Sequence, residues 1–533
     1  MKNKFYSFIL FTLLIAILTS CGDDFLNRVP KGSYTDADFY TTPEALRAAT
    51  APLYTRAWFD YNNRASLAIG SCRANDAYGQ WFLPEYTLFT ITSLHSEVSN
   101  AWQSFYSVVT MSNETIVSIN NKATGVTEAE KNHAIAECRL MRGIAYFYLL
   151  RTWGPVILFE DNNEVIKNPV QPRHREEDVF RFIINDLKYA SDNLPETVDK
   201  GRASCWGAKA MLAKVYLARS GWGKNGTRNQ DDLDQACFYA ADVCNNSGLK
   251  LLNNFEDLFK YRFNNNEESL IAMQWVPNGE WYVSNTLLSD LAFSTEVTGG
   301  VMCWSSINGS IDMLKQFESG DTKRRNASFF TNNTYYSYIN IKEGGYTYTG
   351  TRSPIKKGVP GGPDDDNDGY VKVMNSPLNT YILRLADTYL TYAEASLGDK
   401  DILSSGEGLE YFNKVRQRAG LGAKSSINFD DIIRERRVEF CMEYTNWYDM
   451  VSWYRYKPEK MLSYFNNQQR GYVSNNITKD EYGNISFGPE EDIVEPTTPV
   501  VITPDNVFLP YPEKDLLQNP KLKEEPQPYN FNE

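Results

Sequence analysis

The sequence predicts an all-α, mainly helical protein, in which antiparallel helix pairs form a superhelical scaffold and long loop insertions carry the ligand site. Three observations point there. Long stretches repeat apolar residues at three- and four-residue spacing, the mark of a helix with one buried face. Short glycine-containing links join neighbouring stretches, as in helical hairpins. Between the pairs, roughly 250–380, the pattern gives way to Asn, Gly, Ser and aromatic residues. The 533 residues are 42% hydrophobic and 14% aromatic, ample for a packed core.

The elements follow in order. Lys2 and Lys4 precede a run of 14 largely apolar residues, Phe5 to Leu18, and then Thr19-Ser20-Cys21. That order is a signal peptide over residues 1–20, and the run is too short to cross a bilayer, which takes about 20 residues. A tether over 22–31 leads into a polar, aromatic stretch. The first strong helix is expected over 128–151, where Leu140, Ile144 and Phe147 form one apolar line and Trp153-Gly154-Pro155 stops it. Residues 177–194 read as an amphipathic helix ending at Pro195. Residues 203–220 and 233–246 read as a hairpin around Gly221-Trp222-Gly223, and 383–396 with 408–419 as a second. A single long helix is expected over 430–456, because Phe440, Tyr444, Trp447 and Val451 keep helical spacing throughout. Small-residue pairs recurring this way suggest tetratricopeptide-like units, too irregular for a clean tandem array. The mature body, 21–533, is expected as one domain. Its parts are a helical portion over about 22–250, a loop-rich insertion over 250–380, and a second helical portion over about 380–533.

Charge and residue supply narrow the chemistry. The net charge of −13, from 67 acidic and 54 basic residues, argues against nonspecific nucleic-acid binding, which needs a basic face to displace counterions. A neutral or weakly charged ligand suits it better. Eight cysteines leave seven beyond Cys21, an odd number scattered through apolar patterns. They read as small buried residues rather than a disulfide framework. The three histidines, His95, His133 and His174, have no partner at metal-ligand spacing, so zinc sites and His-based triads are not expected.

What remains is carboxylates, amides and aromatic rings. An apolar sugar face can lie on a ring while nearby amides and carboxylates bind its hydroxyls, so a few convergent polar groups around apolar surface make a site. Asn75, Asp76, Tyr78 and Trp81 form one such cluster; Trp281, Tyr282 and Trp304 form the next. Glu435, Glu439 and Glu443 stand at i, i+4 and i+8, a spacing that would admit retaining glycoside hydrolysis. With Arg434, Arg436 and Arg437 interleaved, and Arg436 placed to pair with Glu439, an ion-paired structural face is the expectation instead. Asp364, Asp366 and Asp368, with Gly369, match the start of a calcium loop, but position twelve is Asn375 where a bidentate glutamate belongs. Calcium there is the low-ranking alternative to a solvated acidic turn. The tyrosines from Tyr335 to Tyr348 suit either a hairpin edge or a contact surface.

Several blocks carry a family resemblance. Residues 136–143 run into Tyr146-Phe147-Tyr148, Gly201-Arg202-Ala203-Ser204 into Lys214-Val215-Tyr216, and 381–390 into Tyr392-Ala393-Glu394-Ala395. Then come 413–420, Glu435-Arg436-Arg437-Val438-Glu439 with Glu443, Trp447 and Asp449, and Asn519-Pro520. The ordered set resembles the SusD/RagB family of outer-membrane nutrient-uptake lipoproteins and covers most of the chain. Cys21 after its small residues resembles the lipobox, whose cysteine is lipidated and anchors the protein to the membrane; Asp23-Asp24 resembles the surface-export signal of Bacteroidetes lipoproteins. Asn446, where the family often has arginine, is a departure, as is the ending Lys523-Glu524-Glu525. The resemblance implies a non-catalytic, cell-surface protein with no cofactor, facing a SusC-like TonB-dependent transporter and binding an oligosaccharide. Peptide binding on the same architecture is the first alternative, a surface glycosidase the second, and a transporter accessory without a ligand the third.

Overall fold

Helices pack in the order in which the chain makes them. The computed structural model describes residues 40–531 apart from 80 and 497, so the signal segment and Cys21 lie outside the described residues. Among the described residues, nine helices of eleven or more residues carry the fold: α1 (Ser96–Lys122), α2 (Glu128–Trp153), α3 (Glu176–Asn193), α4 (Cys205–Gly221), α5 (Gln230–Asn246), α6 (Leu385–Leu397), α7 (Glu407–Ala419), α8 (Phe429–Phe440) and α9 (Asn446–Tyr456). Each of α1 to α6 packs on the next, and α5 meets α6 directly although 138 residues, 247–384, separate them. The expected loop-rich insertion is therefore an excursion from an otherwise continuous stack.

Local chemistry explains the boundaries. Thr127 and Glu130 form a reciprocal capping box at the start of α2: Glu130 N–H donates to Thr127 Oγ1 at 3.2 Å and Thr127 N–H to Glu130 Oε2 at 2.7 Å. From Leu140 to Gly154 every residue is buried, so this helix, apolar nearly all round, is the axle of the N-terminal half. Gly143 lets α3 come close, since a Cβ there would stand 3.3 Å from Leu187. Arg142 binds Asp186 of α3 through Nε and Nη2 (2.8 and 2.7 Å) and Asn113 of α1 at 2.6 Å. The two predicted hairpins are present: Tyr216 stacks on Tyr239 between α4 and α5 (centroids 5.9 Å apart), and Tyr389 meets Tyr411 between α6 and α7 at 4.5 Å.

Two expectations are corrected. Residues 383 and 384 belong to a strand rather than to α6, whose first residue is Leu385. The strands are β1 (Ala77–Tyr78), β2 (Ser269–Met273), β3 (Asn308–Gly309), β4 (Thr334–Tyr336), β5 (Tyr346–Tyr348), β6 (Thr380–Arg384) and short pairs near the C-terminus. All pair antiparallel and in twos: β1 with β3, β2 with β6, β4 with β5. The tyrosine group thus forms a hairpin. The helix expected over 430–456 is two helices, broken at 441–445, where Met442 (φ 58°) and Tyr444 (φ 65°) turn left-handed. Apolar spacing reads through the break because Phe440, Trp447 and Val451 on either side of it and Tyr444 within it are all buried. Asp76 receives Met442 N–H (3.1 Å) and Asn446 Nδ2 (3.0 Å), holding the turn that departs from the helix.

Buried ion networks lock the halves together. Lys214 of α4 and Arg436 of α8 share Asp387 of α6 and Asp449 of α9 at 2.6–3.0 Å. A second cluster sits where the insertion joins the stack. Arg384 binds Glu268, Glu439 and Glu443 (2.7–2.8 Å), Arg324 binds Asp321 and Glu435 (2.6 Å each), and Arg418 bridges Glu268 and Glu439. Removing one partner from such a pair strands a buried charge and costs about 3–5 kcal/mol.

Candidate binding face

A strained turn organises the candidate aromatics. Residues 61–72 follow i→i+5 helical geometry but kink at Asn63 (ψ 79°) and Arg64 (φ 74°). A non-glycine residue at such a φ carries a steric cost and persists only where neighbours enforce it. Here Arg64 Nε and Nη2 donate to Asp290 Oδ2 and Oδ1 at 2.9 and 3.0 Å, and Thr286 Oγ1 donates to Asn63 Oδ1 at 2.8 Å. The Arg64 guanidinium also lies 5.5 Å from the centre of the Phe82 ring. Burial pushes the Asp290 carboxyl above its ordinary range, and the pairing with Arg64 opposes that rise.

From this turn the frame runs to each aromatic. Ser289, beside Asp290, accepts Trp304 N–H at 2.8 Å, and its hydroxyl donates to Met302 O at 3.1 Å. Ala292 O accepts Ser305 N–H at 3.2 Å. At the next residue, Ser306, the backbone presses against Gly79, where a Cβ would stand 2.3 Å from Ser306 O; only glycine permits that approach. Gly79 leads to Trp81 and Phe82, and Phe82 returns to Arg64. Trp281 and Tyr282 set their edges against Phe59, at 5.6 and 5.4 Å, just before the same strained segment. The rings remain open to solvent: Trp81 is 89% exposed, Tyr282 55%, Trp281 45% and Trp304 39%, with Met302 beside them at 55%.

The predicted residues therefore divide. Trp81, Trp281, Tyr282 and Trp304 share one connected surface frame. Asn75, Asp76 and Tyr78 do not join them: all three are buried and face the interior. Asn75 Nδ2 donates to Gln469 O at 3.2 Å, and Tyr78 meets Tyr472 at 6.1 Å. Burial drives the Asp76 carboxyl up to about 6, against the pull of Arg437 and the bonds from Asn446 and Met442. Met302, Arg64 and Asp290 are additions. Met302 alternates with Trp304 along the chain and was legible on that ground; Arg64 and Asp290 meet only in three dimensions.

The other candidates resolve into structure. Glu435, Glu439 and Glu443 are buried, and each faces arginine or lysine, so no glycosidic bond can reach the row. Glu443 lies beyond the end of α8, and Arg436 pairs with Asp387 and Asp449 instead of Glu439. Asp364, Asp366 and Asp368 do not converge on a cation: Lys342 pairs with Asp364 at 2.9 Å, and Arg262 with Asp366 and Asp368. Among the described residues no three His, Cys, Asp or Glu side chains are grouped to hold a metal, and no helix is long and apolar enough to cross a membrane. Two clefts, of about 370 and 650 Å³, lie near Trp206 and Tyr392 and contain none of the four aromatics. Each of the four rings is open to solvent rather than enclosed in a cleft, the form suited to an extended ligand rather than an enclosed small molecule.

Comparison with known proteins adds the following. A model of the SusD family matches residues 195–528, and one described as starch-binding and associating with the outer membrane matches 31–217. A SusD-like protein of Bacteroides ovatus is 63% identical over an alignment covering 100% of this chain and 99% of that protein. A SusD-like protein of Formosa agariphila is 23% identical, covering 84% and 90%. A crystal structure with xylogluco-oligosaccharide superposes with a TM-score of 0.89 at 64% identity, covering 92% of this chain and all of that one. A laminarin-binding SusD-like protein superposes at 0.67 with 21% identity, a likeness of fold alone.

Proposed function

The chain belongs to the SusD family, and from that premise we propose that it is a cell-surface glycan-binding lipoprotein of the outer membrane. It captures an oligosaccharide and passes it to a SusC-like TonB-dependent transporter, anchored by lipid on Cys21. The observation that carries the reading is the solvent exposure of Trp81, Trp281, Tyr282 and Trp304 on segments braced through Phe59, Arg64 and Asp290. Pyranose rings stack on such faces through their apolar C–H surfaces, while exposed polar groups at the margin bind hydroxyls. The one ion pair within the frame, Arg64 with Asp290, is internally neutralised, which suits an uncharged glycan.

A glucan backbone with xylose branches is the first candidate, because the 64% identical structure holds xylogluco-oligosaccharide. Peptide capture is less well supported. A peptide held by main-chain bonds needs a free strand edge, and the backbone at residues 304 and 305 is already bonded to 289 and 292. Binding, not catalysis, is the role, since the carboxylates nearest to a hydrolytic pattern are buried in ion pairs.

Calorimetry on the mature protein with oligosaccharides of xyloglucan, laminarin and starch, and with a peptide set, tests this. Saturable binding of xylogluco-oligosaccharide is the expected result; binding confined to peptides overturns it.

A further inference from the structure

The bonds around Arg64 close on themselves. Starting at Asp290, the carboxylate holds Arg64, and Arg64 covers Phe82. Phe82 follows Trp81 and the Gly79 turn, which abuts Ser306 O. The Ser306 segment returns through Trp304 N–H to Ser289 O, next to Asp290. Trp81 and Trp304 sit on opposite arcs of this circuit, 223 residues apart in sequence. The Asp290 side chain is fully buried, whereas Arg64 is 39% exposed. Among the described residues no other cation pairs with Asp290, so Arg64 is the group that neutralises it. Arg64 holds φ 74°, a conformation that favours glycine.

Folding alone does not ask for this arrangement. Glycine at position 64 would relieve the backbone, and an apolar residue at 290 would fill the interior without a buried charge. Strain and buried charge retained together at a binding surface indicate that the position of the arginine matters there.

We propose that Asp290 is a positioning residue for glycan binding: by clamping Arg64 against Phe82 it fixes the separation of Trp81 from Trp304, the spacing on which successive sugar rings stack. This rests on the glycan reading given above. Asp290 does not touch ligand; it acts through Arg64 and the two turns.

Two measurements on the full mature protein decide it. The first needs no ligand: hydrogen exchange of wild type and Asp290→Asn, read at residues 79–83 and 302–306. The clamp predicts faster exchange in both segments in the variant, and unchanged exchange in either overturns it. The second is a double-mutant cycle with Trp81→Ala, using xylogluco-oligosaccharide as the probe. Asp290→Asn alone weakens binding about tenfold, but adds nothing in the Trp81→Ala background, because it acts by placing Trp81. Independent losses that multiply overturn the proposal, as does Asp290→Asn binding like wild type. The double variant Arg64→Gly/Asp290→Asn guards against a folding artefact: it relieves the backbone at position 64 without stranding a buried charge, so its melting temperature stays close to that of wild type while exchange in both segments still speeds up. If wild type ignores the probe, the glycan reading falls, while the exchange experiment still decides whether the clamp exists.

Discussion

Replacing Trp81 by alanine separates binding from folding. With 89% of its surface exposed, the ring contributes little to the folded state, and its loss should change stability by no more than about 0.5 kcal/mol. A sugar lying on one face removes on the order of 80–100 Å² of apolar surface, about half of what an aromatic side chain buries when enclosed. At about 25 cal/mol per Å² that is about 2 kcal/mol, or roughly thirtyfold in Kd. Trp304 and Trp281 already have part of their surface taken up by the frame, at 39% and 45% exposure, so each truncation should cost less, about tenfold. Trp447, 1% exposed, is the contrast: its truncation should cost about 3–5 kcal/mol of stability. Calorimetric titration with xylogluco-oligosaccharide, paired with thermal melts, reads both quantities. A Trp81→Ala protein that binds like wild type, or one whose melting temperature falls along with its affinity, refutes the argument.

Other outcomes follow from the interior. Burial lifts the Glu439 carboxyl, but Arg418, Arg384 and Arg324 outweigh it and hold the group down to about 2. Its stabilisation is present above the ordinary carboxylate range and is lost as pH falls from about 4 towards 2; Glu439→Gln should cost about 3–5 kcal/mol near neutrality and flatten that window in urea titrations. Asp76 behaves oppositely: raised to about 6 by burial, it favours the fold below about pH 4 and loses about 2–3 kcal/mol as pH climbs through 6. Asp76→Asn should remove that slope, and a slope that survives assigns it to another group. Gly70→Ala would place a Cβ 2.0 Å from Tyr444 O and should cost about 3 kcal/mol, measured as a fall in urea midpoint; a neutral effect would mean the 441–445 turn does not press on Gly70. Added calcium should leave the melting temperature unchanged, because Asp366 and Asp368 are already paired with Arg262, and a rise of several degrees would restore the calcium-loop reading.

Helices were the legible part. Apolar spacing placed α2, α3 and both hairpins within a few residues, since 3.6-residue periodicity is a property of the chain itself. It failed at 441–445 for a physical reason: the break is imposed by Asp76 and by contact with Gly70, partners more than 350 residues away. The site divides along the same line. Exposed tryptophans could be nominated because such residues in a polar loop have few other uses, yet Asn75 and Asp76, next to Trp81 in sequence, face the interior. Nothing local marks that reversal. Arg64 and Asp290 carry no signal at all, as their meaning arises only when residues 226 positions apart form one ion pair.

The direct contact of α5 with α6 bears on how such a protein changes over generations. Residues 247–384 leave and re-enter the stack at neighbouring points, zipped at the root by β2 and β6. A segment rooted this way can be transplanted from one relative to another without unthreading the scaffold, provided that it keeps Arg324 and Arg384 to meet Glu439 and Glu443, and Glu268 to meet Arg418. One of the four rings, Trp81, would still stay behind, on the turn from Phe59 to Phe82. A new ligand preference therefore arrives by exchanging two separate stretches in concert, and a chimera that swaps only the longer one inherits a mismatched pair of half-sites.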